Sequence, residues 1–308
     1  MSRTIRVVTC NFELNGRGDR SKWLTMHERL AQLRPTILCR QENNGHTPVG
    51  AGRTLFNESK SILGLAGELG PQRGSTALYY DPEVFEEITV WDTERWFLHP
   101  TAMTLRVRGT KDIDVVAASA HLSYNSPEMR AMEVGDVTRL ADRMETYPTA
   151  DGPVSRKLPV LGIGIDTNSY VDPDRLITGE APIPTLAEIK DAQHQAHRSY
   201  EIAPGQRVMD SRPDRTLLIA GLEDAARHAA LLPNGPGLAA VAPTVDAWET
   251  HGPAHRVDRI FTASRFLNAV VHAEVVNMAD LSDHHTLAVT YDLDGFIEIY
   301  RDAYALAA

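Results

Sequence analysis

Short β-branched and apolar runs recur along the chain, and most stop at a polar residue. Ile5–Cys10 ends at Asn11, and Thr36–Cys39 ends at Gln41-Glu42. Unbroken apolar runs of this length are the pattern of strands covered on both faces. The same reading predicts strands at Thr76–Tyr80, Phe85–Trp91, Ala102–Val107, Asp114–Ala120, Pro159–Ile165, Arg259–Thr262, Ala269–Val276 and Thr286–Leu293. Turn signals such as Asp81-Pro82 and Arg108-Gly109-Thr110 separate them. Trp23, Met26, Leu30 and Leu33 share one face of a helix over Lys22–Leu33, closed by Pro35. Ser126 followed by Pro127 predicts a second helix, running to about Thr146 with Met129, Met132, Val137, Leu140 and Met144 inward. Asn15–Asp19 reads as a loop and Gly45–Gly74 as irregular. Asp172–Gly237 reads as mainly helical, with apolar periodicity near Leu186–Ile189 and Leu217–Leu232. Many short strands with interspersed helices, and no strict alternation, predict sheet packed on sheet with helices outside.

Composition narrows this picture. The 308 residues allow one domain or two; 43% hydrophobic and 23% charged residues are ordinary for a soluble globular protein and exclude disorder, collagen and coiled coil. Lys plus Arg number 31 and Asp plus Glu 41, a net charge of −10. That balance argues against a passive nucleic-acid coat, which needs basic cover for phosphates. It leaves room for an enzyme that holds phosphate through a metal ion, because the ion brings its own charge. Two cysteines, Cys10 and Cys39, are too few for a disulfide framework and read as buried free thiols in a reducing compartment. With no apolar run near the ~18 residues of a membrane span and no signal-peptide core, the expectation is a cytoplasmic monomer without membrane contact.

The strand ends carry the chemistry. Asn11, Glu42, His121, Asp166 with Asn168, Asp258, and Asp283-His284 all stand where an apolar run begins or stops. Functional residues favour loops held at strand ends by a rigid scaffold. This set holds carboxylates, amides and imidazoles, with no Lys and no Ser nucleophile. Hydrolysis assisted by a hard divalent cation uses such a set: the carboxylates bind the ion, and imidazoles donate to phosphate oxygens or move protons.

In order, the chain reads Val8-Thr9-Cys10-Asn11, Cys39-Arg40-Gln41-Glu42, His121-Leu122 and Gly164-Ile165-Asp166-Thr167-Asn168. Arg256-Val257-Asp258-Arg259-Ile260-Phe261 and Ser282-Asp283-His284-His285 follow. This series resembles the endonuclease/exonuclease/phosphatase superfamily, also called DNase I-like, over residues 4 to 293. The resemblance implies a four-layer αββα sandwich of two mostly antiparallel sheets. It also implies a phosphoester hydrolase using Mg²⁺, with Mn²⁺ as an alternative. Carried over by position, Glu42 is the main metal ligand, with Asn11 and Asp283 close to the ion. Asp166 would position or activate the attacking water. Asn168 and His121 would hold phosphate oxygens. Asp258 would orient His284, which would contact the phosphate or act as acid or base. Cys10, Arg40, Ile165, Thr167 and His285 depart from the residues usual at their motif positions, though none removes a proposed catalytic atom.

Plainer readings stand beside these. His121 alone reads as a satisfied buried histidine, Asp166 and Asn168 as an Asx turn, and Asp258 as an ion-pair partner of Arg256 or Arg259. Strand alternation makes His285 structural and gives Arg40 a structural ion pair on the other sheet face. His194 and His197 read as a solvated helix face, Trp91 as core. Trp248, His251 and His255 are candidates for the substrate cleft. The leading expectation is a phosphodiesterase or nuclease acting on nucleic acid. A small-molecule or lipid-headgroup phosphoesterase is the alternative on the same site, and a non-catalytic binding protein is the alternative of another class. Motifs from residue 11 to 284 imply one domain over 1–308, with a specificity-bearing elaboration at about 169–246.

Overall fold

The first apolar run forms β1 (Thr4–Asn11), and both of its faces are covered. Ile5 and Val7 enter the space between two sheets, while Val8 and Cys10 face helices outside. The computed structural model describes residues 3–71, 76–149, 151–278 and 280–304; residues 1–2 and the 72–74 part of the expected irregular stretch lie outside them.

After β1 come α1 (Arg20–Gln32), β2 (Ile37–Gln41), α2 (Gly50–Leu63), β3 (Ala66–Leu69), β4 (Thr76–Tyr80) and β5 (Phe85–Val90). Then follow β6 (Thr101–Val107), β7 (Asp114–His121), α3 (Pro127–Arg139), β8 (Met144–Thr149), β9 (Gly152–Lys157) and β10 (Val160–Asp166). The elaboration holds α4 (Ala192–Arg198), β11 (Ser199–Ala203), β12 (Gln206–Met209), α5 (Arg212–Ile219), β13 (Leu222–Asp224) and α6 (Ala225–Ala230). The chain closes with β14 (Asp258–Ala263), β15 (Val270–Val276), β16 (Thr286–Asp292) and α7 (Leu293–Tyr304).

One six-stranded sheet has the order β15-β16-β1-β2-β4-β3, the other β13-β14-β10-β7-β6-β5. Only β1 with β2 and β7 with β10 run parallel within them; the other neighbours are antiparallel. Residues such as Val7, Cys39, Leu78, Met103, Ala117 and Ile260 fill the space between the sheets. Trp23, Met26 and Leu30 of α1 and Phe56 of α2 cover the outer face of the first sheet. Val134 and Val137 of α3 and Leu217 of α5 cover that of the second. This is the four-layer αββα sandwich.

Three expectations need correction. The helix from Pro127 ends at Arg139, and Met144 opens a β8–β9 hairpin. Met129, Met132 and Met144 are exposed, because Arg130 and Glu133 set the buried stripe together with Val134 and Val137. The Arg130 guanidinium is satisfied by the Asp210 carboxylate and the Ser123 carbonyl, and the Glu133 carboxylate by Ser123. Gly45–Gly74 contains α2 and β3; its glycines cap rather than dissolve structure, Gly64 ending α2 at φ +68°. The stretch over Asp172–Gly237 is only partly helical, since β11 and β12 pair as a hairpin and β13 extends the second sheet. α7, at the chain's end, has no counterpart in the expected elements.

The sheets meet where Gly162 and Gly164 replace larger side chains. A Cβ on Gly164 would lie 2.4 Å from Cys39 Cβ and 2.9 Å from Thr9 Cβ. A Gly-to-Ala change with free space would stabilise by reducing unfolded-chain entropy. Here the methyl has no room, so Gly164→Ala is expected to destabilise by about 1–3 kcal/mol, read by denaturant unfolding. A neutral or stabilising result would contradict the close approach.

Candidate active site

Strand register assembles the polar residues. Asp166 is paired with His121 on its parallel neighbour and with Asp258 on its antiparallel neighbour. In the facing sheet Asn11 is paired with Gln41, and Glu42 follows directly. The glycine contact brings the two sheets close enough for Asn11 Nδ2 to donate across the gap to Asp166 Oδ2 at 2.9 Å and to lie 3.3 Å from Glu42 Oε1. Gln41 reinforces the crossing from within: its Nε2 reaches Thr9 Oγ1 in one sheet and Ser119 Oγ and the Gly164 carbonyl in the other.

Contrary to the expected alternation, residues two apart share a face, so strand parity puts Glu42 on the helix-facing side with Arg40. It does not lie there because its φ is +55°, a left-handed conformation rare for a residue with a side chain. Its Oε2 accepts from Leu14 N at 2.6 Å, within a turn where Leu14, Asn15 and Arg17 also have positive φ. Arg40 is buried against α1, where Nη1 meets His27 Nε2 and Nη2 donates to Asn15 Oδ1. The expected ion pair is not made: among the described residues its partners are neutral groups. An acid there would compete with the cleft for the same turn.

Asp166 is the hub. Its Oδ1 accepts from Asn168 N at 2.8 Å, so the pair does form an Asx turn, and Asn168 has φ +46°. Around Oδ2 stand Asn11, His121 Nε2 at 3.4 Å and His284 Nε2 at 3.9 Å. Burial works against the Asp166 charge, but the two imidazoles outweigh it and hold the carboxyl well below the usual range. Burial also opposes charge on His284, yet the Asp258 and Asp166 carboxylates push its pKa up to about 10. His284 Nδ1 bonds Asp258 Oδ2 at 2.8 Å, which fixes the ring. His121 is likewise raised, burial being outweighed by Asp166. The alternative partners of Asp258 are engaged elsewhere: Arg256 with Glu180 and Asp224, Arg259 with Asp214.

Asp283 is exposed at the rim beside Asn11: Ser282 Oγ donates to the Asn11 carbonyl and lies 3.3 Å from Asp283 Oδ1. His285 turns inward, its Nδ1 accepting from Met278 N. The segment holding Trp248, His251 and His255 borders the site through a bridge between Val245 and His284. His255 is buried against Tyr170, His251 packs on His194 at 4.0 Å between ring centroids, and Trp248 stands exposed. His194 and His197 are not a solvated face; both are half-buried, and His194 is bonded to Asp191. Trp91 lies just beyond β5, half-buried against Trp96.

Glu42, Asn11 and Asp283, the residues expected near the ion, each offer oxygen ligands, the chemistry that Mg²⁺ or Mn²⁺ requires. Asn11 Oδ1 is buried with no hydrogen-bond partner among the described residues, while its Nδ2 faces Glu42. The residues therefore fit such an ion. Asp166, Asp258 and His284 also offer ligand atoms within 4.8 Å of one another. His284 Nδ1 is held by Asp258 Oδ2, so an ion binding this trio would have to displace the proton that the carboxylates keep on the ring.

No family model and no curated relative matches the sequence. Solved structures do. An endonuclease/exonuclease/phosphatase family protein from Bacteroides thetaiotaomicron superposes with a TM-score of 0.58 at 14% identity, over 96% of this chain and 97% of its own. The fold is that of the endonuclease/exonuclease/phosphatase family. An AP endonuclease from Archaeoglobus fulgidus shares this endonuclease/exonuclease/phosphatase fold at TM-score 0.58 and 14% identity, over 94% of this chain and 100% of its own. So does D. rerio TDP2 complexed with a single-strand DNA product, at 0.57 and 12%, over 94% and 98%.

Sequence reasoning assigned no role to Gln41, Ser282, Thr244 or Arg198. Thr244 Oγ1 accepts from the Val257 and Asp258 amides, and Arg198 Nη1 donates to Asn168 Oδ1 at 3.3 Å. Gln41 and Ser282 left a signal, as polar residues inside the quoted motifs; Thr244 and Arg198 left none.

The Glu42 turn rests on a buried basic cluster of Arg40, His27 and His46. Burial first, then the charge of Arg40, pushes both imidazoles down, His46 to about 3. Their folded pKa values lie below the unfolded 6.5, so their stabilisation is whole above pH 6.5 and is lost as pH falls toward 3. Thermal melts are expected to show a drop between pH 7 and pH 5 that His46→Phe makes smaller. An equal drop in both proteins would remove His46 as a source.

Proposed function

We propose that the protein is a divalent-metal-dependent phosphoester hydrolase, acting as one domain over 1–308 and cleaving nucleic-acid phosphodiesters by in-line attack of water. The observation that carries this reading is the single carboxylate, Asp166, surrounded by an amide and two imidazoles and lying beside an oxygen-only donor set. Glu42, with Asn11 Oδ1 and Asp283, would hold Mg²⁺ or Mn²⁺. The bound ion would supply positive charge to offset that building on the phosphoryl oxygens.

The chain's own residues supply the rest. Asp166, kept ionised, accepts a hydrogen bond from the attacking water and orients it. His284, kept charged by Asp258, directs its Nε2–H toward a phosphoryl or leaving oxygen. His121 does the same from the opposite side of Asp166. Asn168 Nδ2 donates to the Leu122 carbonyl and lies 3.2 Å from His121 Nε2. The two buried thiols, Cys39 pushed up to about 12 by burial, stay protonated and fit a cytoplasmic setting.

The nucleic-acid substrate is supported by the similar AP endonuclease and by TDP2 with its DNA product, and by exposed Trp248 as a stacking surface. A second reading, a small-molecule or lipid-headgroup phosphoester, is supported by the net charge of −10 and by the elaboration that brings Arg198 to Asn168. No helix among the described residues is long and apolar enough to cross a membrane.

Product release from plasmid DNA, RNA, nucleotides, inositol phosphates and a bis-aryl phosphate, with Mg²⁺ and with EDTA, tests the reading. EDTA-sensitive turnover on DNA or RNA is expected. Turnover confined to the small esters would select the second reading, and none at all would leave a non-catalytic binding protein. Asp258→Ala and His284→Ala are each expected to cost roughly 100- to 10,000-fold in kcat, with the double variant close to either single. Additive losses would break the pair.

A further inference from the structure

Arg198 closes α4 and is almost wholly buried, yet no carboxylate lies within 4.0 Å of its guanidinium among the described residues. Its backbone carbonyl binds Asp210 N, but the Asp210 carboxylate is taken by Arg130 and Arg212. Arg198 Nη1 has only the neutral Asn168 Oδ1, and its Nε is buried with no partner. A guanidinium taken from water without a counter-ion is costly; Arg130, Arg256 and Arg259 each have a carboxylate, while buried Arg40, like Arg198, has only neutral partners among the described residues.

The direction in which the missing anion lies can be read from the surroundings. Tyr170 Oη and His255 Nε2 are also buried without partners. The cavity that Tyr170 and His255 line with Glu180 and Arg256 has only about 10 Å³, room for one water and not for a phosphate. On its other side Arg198 touches the Asn168 amide, whose own N–H groups face Leu122 O and His121. Asn168 thus links Arg198 to the imidazole beside Asp166.

We propose that Arg198 is a phosphate-binding residue of the cleft, its guanidinium taking a non-bridging oxygen of the substrate phosphoryl group next to Asn168 and His121. The substrate is then the counter-ion that the folded chain lacks. This rests on the hydrolase reading for its substrate but not for its binding chemistry. The elaboration therefore contributes a cation to the phosphate site itself, beyond shaping its wall.

Titration of inorganic phosphate into the whole protein in EDTA, with sulfate and chloride as controls, tests the assignment apart from turnover. Arg198→Met is expected to bind phosphate at least about 10-fold more weakly, and Arg198→Lys to fall between it and the parent. On whichever ester the parent hydrolyses, Arg198→Met should lose roughly 100-fold in kcat/KM. Its melting temperature without phosphate should hold or rise, since an uncompensated charge has been removed. Unchanged phosphate affinity in Arg198→Met overturns the proposal, as does a lowered melting temperature with phosphate binding retained in Arg198→Lys and Arg198→Met alike. Weakened phosphate binding in Arg198→Met, alongside a parent that hydrolyses nothing, would uphold Arg198 and sink the hydrolase reading.

Discussion

The architecture depends on how closely the two sheets approach at Gly164. With Cys39 and Thr9 pressed against its backbone, no side chain fits there. The contact lies two residues before Asp166 and two before Asn11, so the strand ends that follow are fixed by it. That proximity converts two separate rows of polar residues into one cleft. A wider gap, as most side chains at that position would impose, would part Asn11 from Asp166 and leave each sheet edge with incomplete chemistry. The Gln41 bridge to Thr9, Ser119 and the Gly164 carbonyl supplies polar bonds across the same contact.

Electrostatics within the cleft follow from that geometry. One buried carboxylate between two imidazoles is stable only as an anion beside cations, and Asp258 behind His284 extends the alternation of charge. The inner half alternates carboxylate and imidazole charge, while the outer half, Asn11, Glu42 and Asp283, offers oxygen acceptors with Arg17 near its two carboxylates. Two halves with opposite needs are what a phosphoester and a divalent ion would satisfy together.

The elaboration at about 169–246 is bound into this scheme rather than appended to it. β13 extends the second sheet through β14, Arg130 of α3 ties the His197 carbonyl and Asp210, and Arg256 ties Glu180 and Asp224. Through those ties Arg198 arrives at Asn168. The elaboration thus couples the second sheet, α3 and Asn168 in one hydrogen-bonded set.

Much was legible from the chain alone. The apolar runs located the strands because a strand covered on both faces has no polar positions until it leaves the core, and that exit is where Asn11, Asp166 and Asp258 stand. Sheet packed on sheet follows from that rule; the four-layer arrangement and the grouping of Asn11, Glu42, His121, Asp166, Asn168, Asp258 and His284 came from the resemblance carried by the motif order. The phase of α3 was hidden because buried Arg130 and Glu133 read as surface residues when their partners, Asp210 and Ser123, are distant or unrecognised. The Glu42 orientation depends on one backbone dihedral, which strand parity cannot supply. Arg198 gave no local sign at all, since an arginine ending a short helix is ordinary until one knows which carboxylates lie near it. Periodicity reports which side of an element is covered; it carries no record of which groups meet across tens of residues, and the charge balance of the cleft is decided only there.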